Sequence, residues 1–392
     1  MYLRFSTAVR RLVCLRAMIA GHASSGGSAR YRDRHPLLRD AGHFRHAEHV
    51  PGLESLWCSS LGIGTYLGEA NEASDALYAE AVRSALLGGV NLIDTAINYR
   101  HQRSERSIGA ALKALIAEGS IRRDEIVVCS KAGYLAFEDE VPADAAEYFF
   151  REYIETGVFR SEDVAGHMHC MSPTFLQNQL ERSRANLRLE TIDVYYVHNP
   201  EAQLGEVSAA EFRARLKSAF AELERAVTAG KIRFYGIASW NAFRVAASQQ
   251  PFLSLEDCEH VAREAGGVHH HFRFVQLPFN LAMTEAYTQR TQPMGREHVS
   301  LFEAAERLGI AVVTSASLLQ ARLTQGLPQR IAAGIALRSD AERALQFARS
   351  APGTLSALVG MRHPEHVQNN LRLASEKPMP VDDWTALFSG CK

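Results

Sequence analysis

The feature that most constrains this chain is a rhythm. Eight short runs rich in β-branched and aromatic residues recur along it, separated by stretches with three-to-four apolar periodicity. The runs are SLGIGTY (60–66), GVNLIDTA (89–96), DEIVVCSKA (124–132), TIDVYYVHN (191–199), IRFYGIAS (232–239), FRFVQLPFN (272–280), GIAVVTSAS (309–317) and LSALVGM (355–361). Each is apolar almost throughout, as a strand must be when both its faces are covered. Helical patterns fall at 72–87, 104–117, 173–189, 211–229, 254–266, 301–308, 340–349 and 364–373. Ser172-Pro173 opens one with a cap and a first-turn proline, and Gly88-Gly89, Gly230 and Gly309 close others. Eight such units predict an α/β fold of the (β/α)8 TIM-barrel type. The rival, a doubly wound open sheet, usually has fewer units and a glycine-rich first turn. Long connections at 133–171, after the third run, and 241–253, after the fifth, have the length of functional lids.

The barrel domain is expected over residues 51–392, preceded by a basic extension, 1–50, expected to be partly disordered. Those first fifty residues hold nine Arg against Asp33, Asp40 and Glu48, although the whole chain carries a net charge of only −1. The near-neutral balance gives no reason to expect nucleic acid or an acidic membrane as partner, and no apolar run has the length of a membrane span. An Arg-rich start without an acid before Asp33 has some character of a transit peptide, set against a disordered or mis-started extension. Six scattered cysteines without a CxxC read as free thiols in a reducing compartment, which suggests the cytoplasm.

In such a barrel the chemistry sits at the C-terminal ends of the strands. The polar residues closing the runs are Thr65, Asp94, Lys131, His198, Ser239, Gln276, Ser315 with Ser317, and Arg362 just past the eighth. Lysine is scarce, six against 37 arginines, so Lys131 after IVVCS is a choice of a compact cation. Asp94 on the neighbouring run is its natural partner, because a charge in the barrel wall is costly unless paired. Tyr99 follows five residues after Asp94. A buried Lys–Asp pair beside it is expected to lower the phenol's pKa and make it a proton donor to a substrate carbonyl, with His198 donating a hydrogen bond to the same oxygen. That set suits reduction of a C=O group.

The motifs LIDTAINY, SKA, IDVYYVHNP, VQLPFN, GIAVVTSASL, SERSIGAAL and ALVGMRHPEHVQNNL, in this order over about residues 55–375, closely resemble the aldo-keto reductases. The resemblance implies an NAD(P)H-dependent barrel oxidoreductase acting on a small carbonyl or alcohol substrate. Its catalytic four fall on Asp94, Tyr99, Lys131 and His198. The glutamine contacting the nicotinamide amide falls on Gln276, and Gly64 and Thr65 match the first-strand turn beside the cofactor. Gly360, Met361, Arg362, His366, Asn369 and Asn370 occupy the segment that holds the adenosine phosphate and adenine. Three departures fall on the cofactor seat. The Ser-Asn pair is Ala238-Ser239, the nicotinamide-stacking aromatic is Ser315, and the pyrophosphate loop reads ASLLQA (316–321), with Ser317 and Leu318 as its candidate contacts. Arg362 with His366 is the remaining candidate for a 2′-phosphate, so NADP(H) is preferred weakly over NAD(H). Oligomeric state is not readable.

Blander roles compete with each assignment. Asp94 could be a cap, Tyr99 a surface aromatic, Ser239 a backbone partner at a strand end. GHMHCM (166–171) and HHH (269–271) lack a second ligand pair at zinc spacing, so no metal is expected. EYFFREYIETGVF (147–159) could line a pocket or simply pack. GIGTYLG (62–68) has the wrong glycine spacing for a dinucleotide loop, and no Tyr-x-x-x-Lys occurs. The altered cofactor loop and the basic arm leave one alternative function, a nicotinamide-binding redox sensor with little turnover.

Overall fold

The computed structural model describes residues 18–388. Its centre is a closed barrel of eight parallel strands: β1 (Leu61–Gly64), β2 (Leu92–Asp94), β3 (Val127–Ala132), β4 (Ile192–His198), β5 (Ile232–Ala238), β6 (Phe272–Pro278), β7 (Ala311–Ser315) and β8 (Thr354–Gly360). Every run expected from the sequence supplies one strand. The strands pair in chain order, and β8 closes on β1 with Gly360 opposite Gly64. Around them lie α1 (Glu72–Gly88), α2 (Arg103–Ala117), α3 (Pro173–Leu187), α4 (Ala209–Thr228), α5 (Leu255–Gly266), α6 (Leu301–Leu308), α7 (Asp340–Ser350) and α8 (Pro364–Ala374). Serine caps set several starts: Ser208, Ser254, Ser300 and Ser339 accept from the backbone N–H three residues on.

Two cores result. The larger lies between strands and helices, built from residues such as Ile93, Val128, Tyr195, Ile237 and Val275. The second fills the barrel itself with Leu92, Cys129, Val194, Tyr196, Phe234, Phe274, Val313 and Leu358. Side chains alternate along a strand, so stepping two residues up from this inner set reaches Asp94, Lys131, His198, Gln276 and Ser315. The interior is therefore apolar below and polar at the mouth.

The boundary expected at residue 50 is not what the described residues show. From residue 18 the chain forms helices at Ser25–Asp33 and Pro36–Asp40, then pairs Phe44–Arg45 with Cys58–Ser59 as a hairpin. Ala23, Ala47, Val50, Leu53 and Leu56 join the inner core and plug the barrel floor. Asp193, at the start of β4, holds the plug. It accepts from Ala23 N–H at 2.7 Å and Val128 N–H at 2.9 Å, and pairs with Arg123 at 2.6 Å. The arginines that suggested a free basic arm are engaged: Arg30 with Asp124, Arg34 with Glu125, and Arg45 with the Thr354 carbonyl. Residues 1–17, where a transit peptide would lie, fall outside the described residues, as does Cys391.

The connection after β3 carries helical turns over 145–154 and a short hairpin pairing Val164–Ala165 with His169–Cys170. Its aromatic residues pack on one another and on α3, with Tyr153, Phe159, Cys170 and Phe175 as a separate cluster. Packing thus accounts for much of the aromatic run at 147–159.

Candidate active site

Beyond Asp94 the backbone still follows β3, with Thr95 N–H on the Cys129 carbonyl at 3.0 Å and Ile97 N–H on that of Lys131 at 3.3 Å. A tight turn, Tyr99 N–H to the Ala96 carbonyl at 3.0 Å, then brings the phenol back over the mouth. Arg100, His101 and Gln102 follow with φ of 49°, 54° and 70°. Left-handed backbone costs an L-residue about 1 kcal/mol or more. Arg100 helps to hold it in place: its guanidinium donates to the Glu69 carbonyl at 2.9 Å, pairs with Asp75 and lies 5.1 Å over the Tyr78 ring.

Lys131 is fully buried. Its Nζ donates to Asp94 Oδ1 at 2.5 Å, the Thr95 carbonyl at 2.8 Å and Tyr99 Oη at 3.3 Å. An ammonium has three protons, and all three are committed. The phenol oxygen accepts from Lys131, so its own O–H is free to donate elsewhere. Asp94 Oδ2 accepts from Gln276 Nε2 at 2.7 Å, which ties β6 to the same cluster.

Burial opposes the charge on Lys131, but Asp94 and Tyr99 outweigh it and hold the amine above its usual range. Burial also pushes Asp94 up, against Lys131 and Gln276. The Tyr99 phenol is raised rather than lowered. Its burial, aided by the Asp94 charge, exceeds the pull of Lys131, which corrects the sequence expectation.

His198 closes β4 with its ring 5.9 Å from that of Tyr99, edge to face. Burial, Lys131 and His169 hold it well below the usual histidine range, so the imidazole is neutral at pH 7. Its Nδ1 has no partner among the described residues. Tyr66, exposed at the rim, stacks edge-on to Tyr99 at 5.1 Å, and Trp240 is 41% exposed just past β5.

The other expected residues are more dispersed. The Thr65 hydroxyl donates to the Asp94 carbonyl, and the Ser317 hydroxyl to that of Leu358. Ser239 Oγ donates to Glu201 Oε1 at 2.7 Å, and the same oxygen takes Trp240 N–H at 2.9 Å. Ser315 ends β7 half-buried, and Leu318 packs against the outer core. Beyond them Leu319, Gln320 and Ala321 are left-handed, with φ of 46°, 52° and 68°. Gly360 has open space where a side chain would stand. The Arg362 guanidinium lies against Gly68, with a buried Nε that has no partner among the described residues. His366 is exposed and Asn370 half-buried on α8.

Sequence reasoning missed Glu201, Tyr134, His169 and Gln203, all of which stand behind the mouth. HNPE, an acid three residues past the strand end, was the one local signal for Glu201. The histidine runs serve as packing partners: His270 meets Glu259, His271 meets Glu224, and His169 meets Gln203.

The model of the aldo/keto reductase family matches residues 60–334. Prostaglandin F synthase 1 from Bos taurus is 26% identical over 140 residues, 36% of this chain and 31% of that protein. The chain thus matches about a third of the length of this curated relative. An aldo/keto reductase from Klebsiella pneumoniae, solved with NADP and acetate, superposes with a TM-score of 0.57 at 20% identity, covering 86% of this chain and 92% of that one. The glycerol dehydrogenase of Gluconobacter oxydans gives a TM-score of 0.61 at 19% identity, covering 89% and 94%. At these identities the solved structures speak to the fold.

Proposed function

The chain belongs to the aldo/keto reductase family of NAD(P)-dependent oxidoreductases, and on that premise we propose that it interconverts a small aldehyde or ketone and its alcohol. The observation that carries this reading is the committed ammonium of Lys131, which leaves the Tyr99 O–H as the donor facing the mouth.

Tyr99 gives its proton to the carbonyl oxygen as the C=O bond is reduced. Lys131, kept cationic by Asp94, stabilises the phenolate left behind. Neutral His198 donates to the same oxygen and orients it, and Gln276 holds Asp94 in place. A nicotinamide cofactor, when bound, supplies the hydride. The open space beside Gly360 and the Arg362 Nε, without a partner among the described residues, fit its adenosine end. Arg362 with His366 supports a weak preference for NADP(H) over NAD(H). The hydroxyls of Ser239 and Ser317 are turned to protein partners, so these residues would meet the cofactor chiefly through backbone.

A small-molecule partner suits the near-zero net charge, and the four described cysteines, free and buried, support a cytoplasmic setting. No helix among the described residues is long and apolar enough to cross a membrane. The inward-turned hydroxyls favour the second reading, a redox-sensing barrel with little turnover. Titrating NADPH fluorescence and then following its oxidation with a panel of aldehydes and ketones separates the two. Binding with turnover that Tyr99→Phe abolishes supports the reductase. Tight binding with no turnover on any carbonyl supports the sensor.

A further inference from the structure

We propose that His169, carried in by the lid hairpin, is a positioning residue that fixes the turn from which His198 projects. The proposal rests on the reading of His198 as the group that orients the carbonyl.

The β3–β4 ladder ends at Ala132 opposite Val197. One residue further, where the next pair would form, Gly133 leaves a gap. A Cβ there would lie 2.4 Å from the His198 carbonyl oxygen and 2.7 Å from His169 Nε2. His169 enters through that gap and its Nε2 lies 2.9 Å from the His198 carbonyl. A buried side chain thus takes the place of a ladder donor, and glycine is needed for it to do so.

The direction of this contact is forced from the far end. Arg215 on α4 can only donate, and it lies 3.2 Å from Gln203 Oε1. Gln203 therefore turns its NH₂ to His169 Nδ1, at 3.1 Å. Nδ1 accepts, so Nε2 carries the proton and donates to a carbonyl that can only accept. Burial holds His169 down at about 4, which keeps this single neutral tautomer at pH 7. The same Arg215 donates to the carbonyls of Glu162 and Asp163 in the lid, so helix, lid and strand end share one directed chain.

The turn so held is a demanding one. Asn199, directly after His198, is left-handed at φ 48°. Its N–H donates to the Ala238 carbonyl at 2.6 Å and its side-chain amide to Tyr134 Oη at 3.0 Å. The Tyr134 ring, also from the lid, meets both His169 and His198 edge-on, at 5.5 and 5.3 Å. Two lid side chains thus set where the catalytic imidazole points.

The test uses the full chain with selectively ¹⁵N-labelled histidine and stopped-flow oxidation of NADPH by 4-nitrobenzaldehyde. His169→Leu removes the donor, His169→Gln restores an N–H near Nε2, and Gln203→Leu removes the group that fixes the tautomer. We expect His169→Leu to slow hydride transfer by about tenfold or more, as a small misplacement of a catalytic group does. NADPH affinity should stay within about twofold of wild type, since His169 stands behind His198 rather than facing the mouth. His169→Gln should recover most of the rate, wild-type His169 should show the Nε2–H form alone at pH 7, and His198 resonances should move in His169→Leu. A wild-type rate in folded His169→Leu, an Nδ1–H tautomer, or unmoved His198 signals would each overturn the proposal. If wild type turns over no aldehyde, the proposed function falls, while the imidazole signals still decide the positioning role.

Discussion

Lys131 Nζ stands 3.3 Å from Tyr99 Oη and 2.5 Å from Asp94 Oδ1, so one buried cation serves both an anion and an acid. Removing it strands Asp94. Lys131→Met should cost about 3–5 kcal/mol of stability, the usual penalty for orphaning a buried charge. Adding Asp94→Asn should recover part of that loss without restoring turnover. Urea unfolding of the single and double variants measures both effects, and a Lys131→Met variant as stable as wild type would contradict the pairing.

The proton of Tyr99 is held by burial above its ordinary value of 10, with Lys131 opposing. Reduction needs the protonated phenol, so the rate should hold through neutral pH. It should fall only as pH rises beyond the ordinary phenol value. A pH profile of kcat/KM for aldehyde reduction checks this, with Tyr99→Phe as the blank. A decline already complete at pH 8 would show that another group donates.

Asp193 joins the floor plug to the barrel wall through Ala23, Val128 and Arg123. Asp193→Ala should lose about 3–5 kcal/mol, because Arg123 is left buried without its counter-ion. The thermal midpoint should drop while the NADPH affinity of the protein that remains folded is unchanged, since the mouth lies at the other end of the strands.

Histidines held low by desolvation make stability fall in acid. Burial lowers His43, His169 and His198, with His169 down to about 4 from 6.5. The unfolded chain binds more protons than the native one between those values. Stability is therefore whole above pH 6.5 and declines as pH falls toward 4. At about 1.4 kcal/mol per unit, His169 alone accounts for about 3 kcal/mol across that window. Urea unfolding at pH 7, 6, 5 and 4.5 measures the slope, which should flatten in His169→Gln. A wild type equally stable at pH 7 and pH 5 would refute it.

The barrel was legible because its strands are covered on both faces, which writes them as unbroken apolar runs. Asp94, Lys131 and His198 were legible for a related reason: each is a polar residue at the upper end of such a run. What stayed hidden depends on contacts between distant segments. Ser239 just past β5 and Gln276 in the upper part of β6 lie near the mouth as expected, yet nothing local shows that one would donate to Glu201 and the other to Asp94. The floor plug was hidden by its arginines, whose ion pairs with Asp124 and Glu125 lie some ninety residues away in sequence. His169 stood in a histidine-rich loop that read as lid material, with nothing in its spacing to give it a partner. Its actual partner, the His198 carbonyl, is a backbone atom that no motif can mark.

The plug also sets an order of events. Ala23 meets Asp193 across 170 residues and Arg233 across 210, and Arg45 reaches Thr354 across 309. On a ribosome these residues emerge before their seat, which is built from β4, β5 and β8. Contacts at such separation carry a large loop-closure entropy and form late. Until β8 closes the ring, the floor stays open and its apolar plug is exposed to other chains. The plug is thus made before the strands that hold it, and docks only once they have come together.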